Sequence, residues 1–272
     1  MSNPVLYDTH MHTPLCKHAE GEPEQYAEVA AQRRLKGIIF TCHNPMPDGY
    51  AFNSRMSVDQ IDDYVHMVQD AAAASRPQVD VRLGLECDYY PGVEHWLDQQ
   101  VNSLELHYVL GSVHPMIKEY QLMFWQGEHE ENQRTYFTHL AMAAETGLFD
   151  CLSHPDLIKN IAPKQWWPDK IIDHICHCLD RIARCGTAME FNTSGWNKPM
   201  PEPNPGPMIL REMAKREIPV VIGSDAHVPE RVGDRFDTAL DWLGDAGYSH
   251  SSYYLDRKRI DVPIEQTGHS LN

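Results

Sequence analysis

The stretch "DTHMHTPLCKH", residues 8–18, holds three histidines and an aspartate directly behind a short apolar segment. His10 and His12 are two positions apart, and residues i and i+2 of an extended strand point to the same face. The same spacing recurs in Asp225 and His227 of "GSDAH". Each pair can therefore reach one metal ion or two adjacent ions.

Candidate ligands also lie at the ends of other apolar segments of the sequence. Seven short β-branched or apolar runs end near residues 13, 43, 88, 114, 154, 194 and 227. All but the sixth run carry a potential ligand at the carboxyl end, and these residues are His10, His12, His43, Glu86, His114, His154, Asp225 and His227. His18 follows in the loop beyond the first run. Sixteen histidines scattered at random would place few on such short edges, so the pattern predicts a metal site.

The donor set indicates which ions would bind. Imidazole and carboxylate ligands together suit Zn, Mn or Fe, whereas the absence of a thiolate cluster argues against a closed structural zinc site. Seven histidines and two carboxylates exceed what one ion can use. We expect two or three ions, with Glu86 or Asp225 bridging a pair.

These side chains need a scaffold that brings strand ends together. Helical spacing fills the segments between the runs, at about 22–35, 57–75, 93–103, 130–147, 169–185, 205–217 and 235–247. Alternation of apolar strands and helices predicts an α/β fold with a parallel sheet, and seven units predict a closed or nearly closed barrel. The Pro-rich segment 196–207 is interpreted as a long loop after the sixth strand. In such a fold the functional loops lie at the carboxyl ends of the strands.

Composition narrows the class of protein further. The 272 residues include 39 acidic and 23 basic side chains, for a net charge of −16, which makes a nucleic-acid backbone or an anionic membrane an improbable partner. No run approaches the roughly 18 apolar residues of a membrane helix, and the first residues lack a signal-peptide pattern. Seven cysteines, an odd number, fit reduced thiols. We therefore expect a cytoplasmic protein.

Nine further histidines are predicted to lie outside the metal site. In "DHICHCLD" the residues His174, Cys176, His177 and Cys178 resemble a metal cluster, but neighbours two apart on a helix point in different directions, so an ordinary helix is predicted. Solvated positions are predicted for His66, His95, His107, His129, His139, His250 and His269. "GSDAH" lacks the G-x-S-x-G pattern of serine hydrolases, and a Gly-rich nucleotide loop is missing from the sequence.

With "DTHMHT", His43, Glu86, "GSVH", "SHPD" and "GSDAH" in register, the chain resembles the PHP (polymerase and histidinol phosphatase) family, and within it the stand-alone histidinol-phosphatases. Blocks such as "LGLECDYYPG", "EFNTSGWNKP" and "IPVVIGSDAHVPERVG" extend the similarity over about residues 6–262. The resemblance implies one domain over residues 1–272, a distorted (βα)7 barrel and three divalent ions. It implies a first ion on His10, His12, Glu86 and Asp225, a second on His18, His43 and His227, and a third on Glu86, His114 and His154.

The resemblance also implies a reaction. A hydroxide bridging two ions would attack the phosphorus of a small phosphomonoester, and the resemblance favours L-histidinol phosphate as that substrate. The ions would neutralise the phosphate oxygens and make the local charge of this acidic protein positive. Candidates to protonate the departing alkoxide are a metal-adjacent water, Asp225 and His227. Lys159 and Arg55 are predicted to contact the phosphate, with a solvated surface cation as the alternative for each.

Three departures from the resemblance lie in loops that border the site. Cys42 stands where many relatives have Asp, Asn204–Gly206 replaces a Tyr-Pro-Ser-like step, and the segment after His114 lacks a frequent Asp. Another small phosphomonoester or a nucleotide therefore remains open as the substrate. A non-catalytic metal-binding module is a further alternative, but no polymerase domain accompanies it in this sequence. An amidohydrolase-like enzyme would need a strand-end lysine, and none of the seven predicted strands ends in one.

Overall fold

The computed structural model describes residues 5–267, and His269 lies outside the described residues. Within this range the chain forms nine strands in one sheet, in the order of the sequence. The strands are β1 (Tyr7–Asp8), β2 (Gly37–Phe40), β3 (Asp80–Asp88), β4 (Tyr108–Ser112), β5 (Cys151–Leu152), β6 (Ala188–Asn192), β7 (Val220–Gly223), β8 (His250–Leu255) and β9 (Lys258–Pro263). Neighbours from β1 to β8 pair in parallel, and β8 pairs with β9 antiparallel.

Helices connect the strands where the apolar spacing predicts them. They are α1 (Pro23–Gln32), α2 (Ile61–Ser75), α3 (Glu94–Ser103), α4 (Lys118–Phe124), α5 (His129–Glu145), α6 (Ile172–Cys185), α7 (Pro207–Lys215), α8 (Phe236–Ala246) and α9 (Ile264–Thr267). Local signals set their ends: a reciprocal capping box between Glu22 and Gln25 starts α1, and Gly186, in the left-handed region at φ 71°, ends α6. The helices α4 and α9 were not predicted from the sequence.

The last two strands were also not predicted, and they change how the sheet ends. Ser252 of β8 pairs with Val221 of β7, while the ring of Tyr253 stacks on Tyr7 of β1 at a centroid distance of 4.4 Å. Beyond the carboxyl ends of β1 and β7, the segments that follow these two strands pair through a single parallel bridge between Met11 and Ala226. The prediction of an α/β fold with a parallel sheet is confirmed, with an antiparallel hairpin added to it.

A continuous apolar core lies between the sheet and its helices, and it includes Tyr26, Phe40, Leu97, Phe137 and Phe191. Among the described residues, no helix is both long and apolar enough to cross a membrane. The seven cysteines are all free thiols, as predicted from their odd number.

Candidate metal centre

Glu86 of β3 is the centre of the predicted cluster. Its Oε2 lies 2.7 Å from Nδ1 of His43, 3.4 Å from Nε2 of His10 and 3.6 Å from Nε2 of His12. All four side chains are buried. Three imidazoles from the ends of two different strands therefore face one carboxylate oxygen.

The other oxygen of Glu86 faces a second group of side chains. Oε1 lies 3.1 Å from Nε2 of His154 and 3.5 Å from Nε2 of His114. It also accepts a hydrogen bond from the Ser112 hydroxyl. The two oxygens thus separate the predicted ligands into two sets, which is the arrangement that a bridging carboxylate needs.

Asp225, just beyond β7, closes the first set. Its Oδ1 lies 3.3 Å from Nε2 of His12 and 3.6 Å from Nε2 of His10. Its Oδ2 accepts hydrogen bonds from Ser194 at 2.9 Å and Lys198 at 3.1 Å. The backbone φ is positive at Asp225, at 52°, and at His154, at 27°. This conformation is unfavourable for residues other than glycine, and it is often found at functional sites.

His18 and His227 form the outer edge of the cluster. Their Nε2 atoms are 2.9 Å apart, while the Nδ1 atoms face backbone carbonyls of Cys16 at 2.7 Å and Asp225 at 3.0 Å. A single turn of 3₁₀ helix at Pro14–Cys16, ended by Lys17 at φ 68°, folds His18 back over the strand ends. All nine predicted ligand residues therefore lie together at the edge of the sheet where the parallel strands have their carboxyl ends.

Unsatisfied polar atoms in the cluster test whether it fits a metal. Among the described residues, buried atoms without a hydrogen bond include His10 Nε2, both ring nitrogens of His12, His43 Nδ1 and Glu86 Oε2. The short contact between His43 and Glu86 thus lacks hydrogen-bond geometry. Burying polar atoms without partners costs free energy, and divalent ions ligated by nitrogen and oxygen would remove that cost. Two sets, His10–His12–Glu86 and His43–Glu86–His114, each have ligand atoms within 4.8 Å of one another.

The pKa shifts of Glu86 and His227 favour the forms that bind a metal ion. Burial raises the pKa of Glu86, but the facing imidazoles of His43, His10 and His114 outweigh it and hold this pKa well below its usual value. Burial lowers the pKa of His227 to about 3. Metal ligands must be ionised carboxylates and neutral imidazoles, and these shifts produce both forms.

Asp225 and His10 show the effect of the surrounding charges. For Asp225 burial opposes ionisation, but Lys198 and the neighbouring histidines hold its pKa well below the usual range. For His10 burial opposes protonation, yet Glu190, Glu86 and Asp225 raise its pKa well above the usual value. Without an ion, a proton on this imidazole would balance part of the negative charge.

Glu190 and Asp88 are site residues that the sequence analysis missed. Oε1 of Glu190 lies 2.7 Å from Nδ1 of His10, and Oδ1 of Asp88 lies 2.5 Å from Nδ1 of His114. A carboxylate on the distal nitrogen of a ligand histidine fixes its tautomer and its orientation. Glu190 lies on β6, which is the strand for which no ligand was predicted, and an acidic residue within an apolar run was the available signal. Gly223 leaves the space for this pair, because an added Cβ would collide with Glu190 and with His10.

A cavity of about 470 Å³ opens over the cluster. Its wall includes apolar side chains of Met116, Ile117, Leu157 and Val228. The cations in its lining are Arg55, Lys198 and Arg231. The cavity therefore combines the predicted metal cluster with positive charge suited to an anionic ligand.

Lys159 does not line this cavity, so its position does not support the predicted phosphate contact. The ammonium group is fully buried and donates to Asp156 at 3.1 Å, Glu202 at 3.2 Å and the Pro203 carbonyl at 2.6 Å. All three of its N–H donors are thus used to attach the Pro-rich loop to the segment after β5. Lys198, in that same loop, is the lysine that reaches the cavity.

Arg55 lines the cavity but is already paired. Its Nε and Nη2 donate to the two oxygens of Asp88 at 2.8 and 2.9 Å, and its Nη1 donates to the Ser54 carbonyl at 2.7 Å. Arg55 therefore supports Asp88 and, through it, His114. A direct contact between Arg55 and a phosphate stays a prediction.

The remaining histidines agree with the sequence analysis in part. Nε2 of His174 on α6 donates to the Arg134 carbonyl, 2.9 Å away, as expected for an ordinary helix. His139 on α5 is buried rather than solvated, because the unpredicted helix α4 covers it with Tyr120, whose hydroxyl is 2.8 Å from Nδ1. One sulfur cluster was also not expected: His12, Cys16 and Cys42 each place a donor atom within 4.8 Å of the others.

The sequence of the chain is similar to those of known proteins. Residues 8–194 match the family model of the PHP domain. The chain is 40% identical over 248 residues to a probable histidinol-phosphatase of Deinococcus radiodurans, covering 89% of this chain and 94% of that protein. It is 27% identical over 269 residues to a histidinol-phosphatase of Bacillus subtilis, covering 86% of this chain and 98% of the other.

A solved structure has the same fold. It is the histidinol phosphate phosphatase of Lactococcus lactis in complex with zinc, L-histidinol and phosphate, with a TM-score of 0.78 and 19% identity, covering 94% of this chain and 98% of the other. At this identity the similarity concerns the fold.

Proposed function

The chain belongs to the PHP domain family, and we propose that it is a metal-dependent phosphomonoesterase that hydrolyses L-histidinol phosphate to L-histidinol and phosphate. Its curated relatives carry the name histidinol-phosphatase and match nearly their whole length. The observation that carries the proposal is the convergence of nine candidate ligands around Glu86, beneath a cavity with cationic side chains.

We propose three divalent ions, Zn, Mn or Fe, held as the resemblance implies. One ion would bind His10, His12, Glu86 and Asp225, a second His18, His43 and His227, and a third Glu86, His114 and His154. When bound, such ions lower the pKa of a water that attacks phosphorus, and they neutralise phosphate oxygens. The two-sided contacts of Glu86 and the unsatisfied buried atoms around it support this arrangement.

Lys198 is our candidate for binding the phosphate. Its Nζ lies at the cavity wall, 2.7 Å from Ser194 Oγ and 3.1 Å from Asp225 Oδ2, and an ammonium group has a third N–H to donate. Arg231 lines the same cavity and is held by Asp234 at 2.7 Å. These two cations would orient the phosphate above the carboxylates.

Asp225 and His227 remain our candidates for protonating the departing alkoxide. Both side chains line the cavity. Lys198 donates a hydrogen bond to Asp225 at 3.1 Å and so holds that carboxylate in place. The apolar wall at Met116, Ile117 and Leu157 would pack against the part of the substrate that carries no charge.

We propose further that the chain is a single domain with its barrel closed at the bridge between Met11 and Ala226. The backbone N–H of His12 donates to the Ala226 carbonyl at 2.9 Å, and the N–H of Ala226 donates to the His10 carbonyl at 3.1 Å. Closure there would bring the ends of β1 and β7 to the centre of the site. A cytoplasmic location stays a prediction from the sequence.

A substrate panel tests this proposal. Protein reconstituted with Mn, Zn or Fe is assayed for phosphate release from L-histidinol phosphate, p-nitrophenyl phosphate, sugar phosphates and 3'-phosphonucleotides. We expect kcat/KM on histidinol phosphate to exceed the others by at least about tenfold, the gain that about 1.4 kcal/mol of differential binding provides. Preference for a nucleotide would favour another phosphoesterase, and no turnover with bound metal would favour a non-catalytic module.

A further inference from the structure

His12 differs from other predicted ligands in what surrounds its second ring nitrogen. His10 has the Glu190 carboxylate on Nδ1 at 2.7 Å, and His114 has the Asp88 carboxylate on Nδ1 at 2.5 Å. His12 is fully buried, and its Nδ1 has no hydrogen-bond partner among the residues described. A buried ring nitrogen of this kind calls for an acceptor.

Two cysteine sulfur atoms lie close to the ring of His12. Nε2 of His12 faces Glu86 and Asp225 at 3.6 and 3.3 Å, so Nδ1 is the nitrogen on the opposite side of the ring. A donor atom of His12 lies within 4.8 Å of Sγ of both Cys42 and Cys16, and both cysteines are fully buried. The ring therefore has carboxylates at Nε2 and two sulfur atoms among its close neighbours.

The surroundings of Cys42 make its sulfur an acceptor. The hydroxyl of Thr13 donates to Sγ at 3.3 Å, and the backbone N–H of Thr13 points to it at 3.5 Å. The backbone of Cys42 is fixed as well, since its N–H donates to the Tyr64 hydroxyl at 3.1 Å. A sulfur held in place by donors is suited to accept one more N–H from a neighbouring imidazole.

We propose that Cys42 is a positioning residue of the metal centre: its sulfur accepts the Nδ1–H of His12 and thereby holds Nε2 unprotonated and directed at Glu86 and Asp225. The sulfur takes the part that Glu190 takes for His10 and Asp88 for His114. Outer partners of this kind change metal affinity or activity by about 10–100-fold when they are removed. The inference rests on the proposed metal site and involves no contact with substrate.

The test compares Cys42→Ala with Cys42→Asp, and Cys178→Ala is the matched control because Cys178 is an equally buried thiol on the remote helix α6. Zinc is loaded into the full chain, and its retention is measured against increasing chelator. Turnover of histidinol phosphate is followed in the same samples. We expect Cys42→Ala to weaken retention by about 10–100-fold and to lower kcat with KM within about twofold. Cys42→Asp should recover most of the loss, and the control should match the wild type.

Retention within about threefold of the wild type in a folded Cys42→Ala protein would overturn the inference. Equal losses in the Ala and Asp variants would also overturn it, since they would indicate a packing role only. If Cys42→Ala does not fold, Cys42→Ser takes its place with an intermediate loss expected. Loss of one ion from both Cys42→Ala and Cys16→Ala with unchanged kcat would instead indicate a separate thiol-bound ion, contradicting the inference. Because zinc retention needs no substrate, failure of the substrate proposal is distinguishable from failure here.

Discussion

Glu190 contacts the ring nitrogen of His10 that faces away from Glu86: Oε1 of the carboxylate lies 2.7 Å from Nδ1 of the imidazole, and both side chains are fully buried. Its Oε2 accepts the backbone N–H of His154 at 2.8 Å and an N–H of the Asn192 side chain at 2.9 Å. One carboxylate of β6 therefore fixes two predicted ligands that come from different strand ends.

Glu190→Gln tests this support. The amide cannot serve as the same anionic acceptor for both groups, so we expect kcat or metal affinity to fall by about 10–100-fold. Metal retention and steady-state turnover are the measurements. Glu145→Gln is the control, because Glu145 is an exposed carboxylate paired with Arg181. Wild-type values for Glu190→Gln would show that His10 needs no such partner.

Lys198→Met tests the proposed phosphate contact. Removing the ammonium should lower kcat/KM by about 10–100-fold, as expected for losing roughly 1.4–3 kcal/mol of a charge-assisted hydrogen bond. The melting temperature should change little, since the side chain is partly exposed. Turnover and thermal unfolding are measured on the same protein. An unchanged kcat/KM would assign phosphate binding to other cations.

Lys159→Met should give the opposite result, with a loss of stability. Removing Lys159 leaves Asp156 and the Pro203 carbonyl short of a buried donor, and breaking a buried ion pair on one side costs about 3–5 kcal/mol. The free energy of unfolding, measured by denaturant titration, reports this loss. Lys215→Met, which breaks an exposed pair with Glu212, should cost less than about 1 kcal/mol. Equal small losses in both variants would contradict the buried role of Lys159.

The strand ends were predictable because apolar runs and helical spacing are local properties of the sequence. Once β1, β2, β3 and their successors are parallel, their carboxyl ends must share one edge, and this placed the predicted ligands together without knowledge of any distance. His18 needed the family resemblance, since its position depends on a turn at Pro14–Cys16 and not on strand periodicity.

Features that depend on distant partners were not predictable in this way. The burial of Lys159 is one such feature, because its partner Glu202 is 43 residues away in the sequence. The hairpin of β8 and β9 lies in a segment whose polar residues hide the strand pattern. The burial of His139 depends on α4, which is a short helix with exposed Leu122 and Met123.

His139 predicts a pH dependence of stability away from the metal centre. Burial lowers its pKa to about 4 from the usual 6.5. The neutral, buried imidazole contributes fully to the free energy of unfolding above pH 6.5. This contribution is lost as the pH falls toward 4, because the histidine of the unfolded chain is protonated at a higher pH than the buried one. Linkage gives about 3 kcal/mol over that window.

In His139→Gln the free energy of unfolding should fall less between pH 7 and pH 4.5 than in the wild type. Both proteins are unfolded with denaturant at the same metal load, so that other titrating groups cancel. His66→Gln, at an exposed position on α2, should follow the wild type. Parallel pH curves for His139→Gln and the wild type would refute the assignment.

The most direct test of the metal-dependent mechanism is Glu86→Gln, with bound metal and turnover of L-histidinol phosphate measured in the same samples. Glu86 contacts both sets of predicted ligands, so we expect the loss of at least one ion per chain. We also expect kcat/KM to fall by more than the roughly 100-fold that the loss of an outer partner costs. Glu86→Gln with the wild-type metal content and kcat/KM within about tenfold of the wild type would contradict it.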